Sequence, residues 1–222
     1  MSVVFEKLTN NTLRGRIAEQ MRAAILNGSL AAGQRIVERT IAAEFGASLT
    51  SVREAIIQLE SEGFITKKPN ASTYVTQLSL PEAEKIFAVR RVLEEFAIQE
   101  AARLATPEDV ASLQRLHMAM IDSAREENGK LLIQKDFDFH EGIWRISGNE
   151  YLVWSLRRTV LPLFAFSAIR FAATHSFDLL QDAYSHLPLV NAIQAKDPDL
   201  AGNELARAME VWLKQAREYV KA

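Results

Sequence analysis

The chain has 222 residues, of which 48% are hydrophobic and 24% charged, and these values exclude wholesale disorder. It contains no cysteine, which excludes a disulfide framework, a thiol nucleophile and a cysteine-ligated zinc. The formal net charge of −2 is unevenly distributed, since residues 1–77 carry nine Lys and Arg against seven Asp and Glu, whereas residues 78–222 carry 17 against 21. The N-terminal third is therefore the part better suited to approach phosphate groups.

Two features of the sequence bear on where the protein resides. The first residues show no apolar core behind a basic start, so no secretion signal is indicated. The uncharged apolar stretch between Arg158 and Arg170 is shorter than the roughly 20 residues that a membrane-spanning helix needs. We therefore expect a soluble, cytoplasmic protein.

The first 77 residues predict three helices followed by a two-stranded hairpin. An apolar repeat marks the first helix (Leu13, Ile17, Met21, Ile25), and a short second helix is expected over 37–45. Ser48 can cap the third helix, which has its own buried face (Val52, Ala55, Ile56, Leu59). The β-prone segments 64–66 and 72–76 then flank a basic tip at Lys67 and Lys68. This order of elements predicts a winged helix-turn-helix domain in residues 1–77.

A helix-turn-helix protein presents the N-terminal end of its second helix to base edges in the major groove. Here that end is polar, and Arg53 suits a bidentate contact with guanine or a contact with phosphate. A single exposed Arg or a pair of Lys at a hairpin tip is common on any surface, so the order of the elements is what favours DNA binding. The candidate DNA-contacting residues are Arg39, Ser48, Thr50, Ser51, Arg53, Lys67 and Lys68.

Residues 78–222 predict an all-helical domain of six helices, which makes the whole chain mainly α. The first helix follows Ser79, with an expected apolar face at Ile86, Val89, Leu93 and Phe96. The others are expected over 106–128, 130–147, 150–174 and 177–195 and after Pro198, with Pro162 bending the fourth. Several large apolar residues are expected in the core or at a dimer face: Trp144, Trp154, Leu163, Phe164, Phe166, Ile169 and Phe171.

The segments 32–39, 42–48, 52–56 and 59–65 strongly resemble the winged-helix domain of the GntR family of bacterial transcriptional regulators. Later residues (Arg90, Leu93, Glu94, the run 136–140, Ser147, Gly148, Asn149, His186, Asp197) resemble the helical effector-binding domain of its FadR-like (FCD) branch. The resemblance implies a homodimeric regulator that responds to a small metabolite. In the recognition helix the family often has Arg where this chain has Leu49, which can contact a thymine methyl group but cannot donate a hydrogen bond.

A candidate metal site begins with Asp136 and His140, which lie four residues apart and so share one face of a helix. On its own such a pair is more often a hydrogen bond on a helix surface. The resemblance implies a divalent ion, such as zinc or nickel, held by one Asp and three His, and Asp136, His140 and His186 fall on three of these positions. The fourth position holds Ala208, or Trp212 after a one-turn shift, and neither can coordinate a metal, so the alternatives are a three-ligand metal site and an organic ligand bound directly. His117 and His175 match no position of the motif.

Arg90 is the candidate effector-binding residue, because a guanidinium can bind both oxygens of a carboxylate such as a sugar acid. A structural ion pair with Glu94, four residues on, is an equally good interpretation. The sequence thus favours a metabolite-responsive repressor without enzymatic activity. The alternatives are a metal-dependent hydrolase using Asp136, His140 and His186, which lacks a His-Glu-x-x-His motif and an evident general base, and a purely helical interaction or ligand-storage module.

Overall fold

The computed structural model describes residues 13–68, 72–174 and 178–221, and of residues 68, 170–174, 215–216 and 218–221 it describes the backbone alone. The chain divides into two units, Met1–Thr76 and Gln77–Ala222, so the division falls one residue before the boundary expected from the sequence. The fold is mainly α, with three helices and a small sheet in the first unit and helices alone in the described part of the second.

The helices of the N-terminal unit are α1 (Leu13–Leu26), α2 (Glu38–Phe45) and α3 (Leu49–Ser61). The apolar face predicted for α3 is buried, and so are the last three residues of the stripe predicted for α1, whereas Leu13 is 50% exposed. Gly46 ends α2 with a positive φ of 58°, which glycine adopts without strain, and the chain then turns into α3.

A small sheet completes this unit, formed by β1 (Arg35–Ile36), β2 (Ile65–Lys68) and β3 (Ser72–Val75) in the order β1-β3-β2. Both pairs are antiparallel, with Arg35 opposite Tyr74 and Ile65 opposite Val75. The predicted two-stranded hairpin is therefore incomplete, because β1 adds a third strand. Two residues are too few to show the alternation that identifies a strand in a sequence. Residues 69–71 of the expected hairpin tip lie outside the described residues.

The C-terminal unit contains seven described helices: α4 (Leu80–Leu104), α5 (Pro107–Arg125), α6 (Gly129–Ile146), α7 (Glu150–Thr174), α8 (Leu179–Tyr184), α9 (Leu187–Gln194) and α10 (Pro198–Lys221). Ser79 begins α4 and Thr106 begins α5, each through a capping box in which the side chain at the third helical position returns a hydrogen bond. Helix α7 continues through Pro162 as one helix.

One prediction for this unit was wrong and another was half right. Of the predicted α4 face, Ile86 and Leu93 are half-buried against the core, whereas Val89 and Phe96 are each 49% exposed. The buried face of α4 carries Phe87, Arg90 and Glu94. A hydrophobic pattern could not select this face, because two of its buried residues are charged. The single helix expected over 177–195 is divided into α8 and α9 at Ser185 and His186. Pro188 explains this division, since proline lacks an N–H group and favours the first turn of a new helix.

Helix α7 packs along α4 and α6, and it buries Leu156, Val160, Leu163, Phe164 and Ile169. The segment Glu150–Ile169 is long and apolar enough by composition to cross a membrane, and its inward residues form part of this core. The other residues expected in the core or at a dimer face differ in exposure: Trp144 is buried, Phe166 is half-buried and Trp154 is 61% exposed. The side chain of Phe171 lies outside the described residues.

Candidate functional site

The N-terminal end of α3 is exposed and polar, and hydrogen bonds hold its first turn. The Ser48 hydroxyl accepts a hydrogen bond of 3.1 Å from the backbone N–H of Ser51 and lies 3.0 Å from the Ser51 hydroxyl, which confirms the predicted cap. Thr50 is exposed beside them, and Leu49 is 36% exposed at the first helical position. Ser48 therefore shapes the helix start, while Leu49 and Thr50 are available to a partner.

Arg53 lies on the exposed side of α3, and 61% of its side chain is accessible. Its Nε donates a 2.7 Å hydrogen bond to Oε2 of Glu38 in the first turn of α2, which links the two helices of the helix-turn-helix. No other partner of Arg53 lies within the described part of the chain, so its terminal nitrogens can meet a base or a phosphate. The sequence did not indicate that Glu38 contacts Arg53, because the two residues are 15 positions apart and form no local pattern. Arg39, beside Glu38, is exposed.

The basic residues of the wing are only partly described. Lys67 on β2 donates from Nζ to Oε2 of Glu60 at 2.6 Å, which attaches the strand to the C-terminal half of α3. The side chain of Lys68 lies outside the described residues. The charge of Lys67 is therefore paired with the carboxylate of Glu60 when no DNA is bound.

The structure brings together the three residues predicted as metal ligands. Asp136 and His140 lie on α6, and His186 lies at the break between α8 and α9. Oδ1 of Asp136 is 3.1 Å from Nε2 of His186 and 3.4 Å from Nε2 of His140. Both imidazoles are 5% exposed, and the three ligand atoms lie within 4.8 Å of one another. The break between α8 and α9 places His186 beside Asp136 and His140.

These residues fit a divalent ion. Oδ1 of Asp136 is buried and, among the described residues, has no hydrogen bond of full geometry, although Nε2 of both imidazoles lies within 3.4 Å of it. Nδ1 of His186 donates a 2.9 Å hydrogen bond to the backbone carbonyl of Asp182, which leaves Nε2 for the cluster. Metal-ligating histidines are oriented in this way, with the second ring nitrogen donating to a carbonyl or a carboxylate.

Burial and neighbouring charge act in opposite directions on the titration of this cluster. Burial alone would lower the pKa of His186, but the Asp136 and Asp182 carboxylates outweigh it and raise that pKa to about 9. Burial likewise works to raise the pKa of Asp136, but the two imidazoles hold it well below its usual range. Burial and the Asp136 charge raise the pKa of Asp182 to about 7. The sequence did not indicate that Asp182 belongs to this cluster. These shifts favour the carboxylate form of Asp136 and the protonated form of His186.

The position expected for a fourth ligand holds no donor. Ala208 is half-buried, and the indole of Trp212 stacks on Phe87 with 4.4 Å between ring centroids. His117 lies apart from the cluster, since its Nε2 donates to the carbonyl of Ala183 at 3.1 Å, and burial lowers its pKa. His175 lies outside the described residues.

Arg90 on α4 is 5% exposed and forms the ion pair with Glu94 that the sequence offered as one of its two interpretations. Its Nε donates to Oε1 of Glu94 at 3.0 Å, and its Nη2 lies 3.3 Å from Nε2 of His140. The guanidinium carbon is 5.5 Å from the ring centroid of Phe87 and 5.3 Å from that of Phe164. A buried cation thus lies beside three potential metal ligands, an arrangement able to bind a divalent ion together with an anion.

Comparison with known proteins divides the chain in the same way. Residues 13–75 match the model described as "Bacterial regulatory proteins, gntR family", and residues 85–211 match the FCD domain. The probable D-xylose utilization operon transcriptional repressor of Paenarthrobacter nicotinovorans is 26% identical over 96% of this chain and 92% of its own length. The gluconate operon transcriptional repressor of Bacillus licheniformis is 27% identical over 90% and 86%. The solved structure of E. coli McbR/YncC shares the fold, with a TM-score of 0.74, 22% identity and coverage of 94% of this chain and 100% of that one.

Proposed function

Because this chain belongs to the GntR family of bacterial regulatory proteins and carries an FCD domain, we propose that it is a cytoplasmic transcriptional repressor whose hold on operator DNA is modulated by a small carboxylate. Residues 1–77 bind the operator, and residues 78–222 bind the effector and form a homodimer. The names of its relatives support repression, since the two curated proteins above repress operons for sugar or sugar-acid use. The hydrolase alternative has no support among these relatives.

The effector proposal rests on one observation. Arg90 is buried beside the cluster of Asp136, His140 and His186 and contacts His140. A cation and a carboxylate–imidazole cluster are costly to bury unless each is satisfied, and such costs are typical of binding sites. We propose that the three ligands hold a divalent ion, zinc or nickel, which supplies a Lewis acid for effector oxygens when it is bound. Arg90 supplies the hydrogen-bond donors for the same carboxylate.

Operator binding is proposed to follow the geometry of the helix-turn-helix. The first turn of α3 enters the major groove, where Arg53 contacts a guanine or a phosphate and Leu49 lies against a thymine methyl group. Arg39, Lys67 and Lys68 contact the DNA backbone. Ser48, Thr50 and Ser51 contact backbone or bases at the start of the helix, within the limits that capping sets for Ser48.

The experiment that tests operator binding is a fluorescence-anisotropy titration of the upstream DNA of the protein's own gene against random competitor. Replacing Arg53 by Ala is expected to weaken specific binding by about 1–3 kcal/mol, because a base contact is lost. Arg103→Ala, which removes an exposed Arg of the C-terminal unit, serves as the matched control. Equal affinity for promoter and random DNA would contradict the proposal, and unchanged affinity of the Arg53 variant would contradict the placement of α3.

The homodimer proposal rests on exposed apolar residues of α4 and α7, two helices that pack against each other. Val92 is 68%, Phe96 49%, Tyr151 77% and Trp154 61% exposed. Large exposed apolar residues on neighbouring helices are typical of a surface that a partner covers, and the implied partner is a second copy. Val92→Glu is expected to shift sedimentation toward the monomer, whereas Val211→Glu on α10, which is 46% exposed, leaves the dimer intact. A dimer unaffected by Val92→Glu would place the interface elsewhere.

A further inference from the structure

We infer that Arg90 and a divalent metal ion compete for one lone pair of His140, so that metal binding releases an Arg90 donor for the effector carboxylate. This inference rests on the metal and carboxylate functions proposed above and adds the coupling between them. It concerns two side chains of α4 and α6 whose contact the sequence did not indicate.

The competition follows from the roles of donor and acceptor. A guanidinium carries N–H donors and no acceptor, so in the 3.3 Å contact Arg90 Nη2 donates and His140 Nε2 accepts. A neutral imidazole has one nitrogen with a lone pair, and that lone pair can accept a hydrogen bond or bind a cation, but not both at once. Nε2 is also the His140 nitrogen that lies 3.4 Å from Asp136 Oδ1, on the side of the other metal ligands.

Glu94 contacts both Arg90 and the imidazole of His140. Its Oε1 accepts the hydrogen bond from Arg90 Nε, and its Oε2 lies 3.5 Å from His140 Nδ1. Oε2 is buried and has no hydrogen-bond partner among the described residues, so a proton on Nδ1 is the favoured arrangement and leaves Nε2 as the acceptor. The Glu94 carboxylate therefore fixes the imidazole tautomer that Arg90 and a metal ion both require.

Loss of the His140 acceptor leaves Arg90 anchored but incompletely paired. The ion pair with Glu94 and the rings of Phe87 and Phe164 hold the guanidinium at the site. Its Nη2 is then a buried donor without an acceptor, and such a group carries a desolvation cost until a new acceptor arrives. A carboxylate supplies that acceptor. Metal and carboxylate therefore favour each other's binding, and the coupling is reciprocal.

The first test measures zinc affinity of the metal-free protein by competition with a chelator of known affinity. Arg90→Met removes the donor and is expected to bind Zn²⁺ about three- to tenfold more tightly, since the metal no longer displaces a hydrogen bond. Arg91→Met removes the same charge one position along α4, where the side chain is exposed, and is expected to leave the affinity unchanged. No gain in Arg90→Met would overturn the inference.

A gain could also come from removing a positive charge near the metal, and a double-mutant cycle separates the two effects. In a His140→Ala background the lone pair is absent, so Arg90→Met is expected to give a smaller gain than it gives in the wild-type background. An equal gain in both backgrounds would show simple charge repulsion and overturn the competition.

The second test needs no variant, because it follows Arg90 itself in the wild-type protein by side-chain ¹⁵N–¹H NMR. Adding Zn²⁺ is expected to shift the Nη resonances while the Nε–H signal, held by Glu94, stays, and adding acetate then shifts the Nη resonances again. Nη resonances that ignore Zn²⁺ would overturn the inference. If Zn²⁺ binds neither the wild type nor Arg90→Met, the proposed metal site and the inference both fail. Equal binding to the two proteins would overturn the competition alone.

Discussion

The two units place their functional groups in opposite environments. In the N-terminal unit Arg39, Thr50 and Arg53 are exposed, and Arg53 and Lys67 pair with carboxylates at the surface. In the C-terminal unit Arg90, Glu94, His140 and His186 are buried against one another. Exposed cations attract the DNA polyanion through water, where dissolved salt screens the attraction. Buried charges instead need an oppositely charged or hydrogen-bonding neighbour. The first surface should therefore respond to ionic strength, and the second to protons and metal ions.

Ionic strength should give the largest difference between the units. Four cations of each protomer are proposed to contact phosphate or bases, and neutralising about eight phosphates in a dimer would lower operator affinity by roughly 10³-fold or more between 50 and 200 mM salt. Zinc affinity should change little over the same range, because buried groups are weakly screened. Anisotropy and chelator competition in one salt series measure both. A flat salt dependence of DNA binding would contradict phosphate anchoring.

Removing the carboxylate at the centre of the buried cluster should have the next largest effect. Asp136→Ala is expected to weaken zinc binding by about 100-fold or more, because it removes a direct ligand. Even groups that only hydrogen-bond to a metal ligand contribute roughly 10- to 100-fold to metal affinity. Asp138→Ala is the matched control, because Asp138 lies two residues on in α6 and pairs with Lys135 at 3.2 Å. Operator affinity measured without effector should stay the same for both variants. Equal zinc affinity of Asp136→Ala and wild type would remove Asp136 from the site.

Proton binding by the same cluster predicts how stability depends on pH. The pKa of His186 is about 9 in the folded protein against an ordinary 6.5, so the stabilisation is complete below pH 6.5 and is lost as the pH rises through 9. Asp182, with a pKa raised to about 7, acts in the same direction as the pH rises through 7.

The Tm of the metal-free protein should consequently fall by roughly 5 °C or more between pH 6.5 and 9.5. Differential scanning calorimetry measures this fall. The variant His186→Gln, which cannot titrate, should show a shallower one. A Tm that rises over this interval would mean that the imidazolium is absent.

The contact between Glu38 and Arg53 should give the smallest effect, because exposed ion pairs contribute little energy. Glu38→Ala frees the guanidinium to rotate, and we expect a few-fold loss of preference for the base that Arg53 contacts. Glu38→Gln, which keeps an acceptor oxygen, should preserve more of that preference. Competition among operators substituted at that base measures the effect. An unchanged preference in both variants would show that Glu38 does not orient Arg53.

Local signals made the N-terminal unit largely predictable. Ser48 caps α3 as expected, Gly46 turns the chain, and the α3 face from Val52 to Leu59 is buried. Each of these features depends on residues within a few positions of one another. The third strand and the Glu38–Arg53 pair were missed, because both join segments that are distant in the chain.

The C-terminal unit was less predictable, and α4 shows why. The predicted core face included Val89 and Phe96, which are exposed, whereas the buried face carries Arg90 and Glu94. Hydrophobicity alone cannot distinguish a core face from an exposed apolar surface, nor recognise charges that are buried because they satisfy each other. The spacing of Asp136 and His140 on one helix face indicated half of the cluster, but family resemblance was needed to add His186 and to favour a metal site over a surface hydrogen bond.

By itself the sequence determined the capped helix starts, the glycine turns and the residue types available for binding, because backbone sterics and capping hydrogen bonds act within one or two turns of chain. Only the tertiary structure decided which charges are buried and which atoms meet. The Arg90 and His140 nitrogens come within 3.3 Å through the packing of α4 on α6, although the two residues are 50 positions apart in the chain. Such a contact depends on how whole helices pack, and no short-range pattern encodes it.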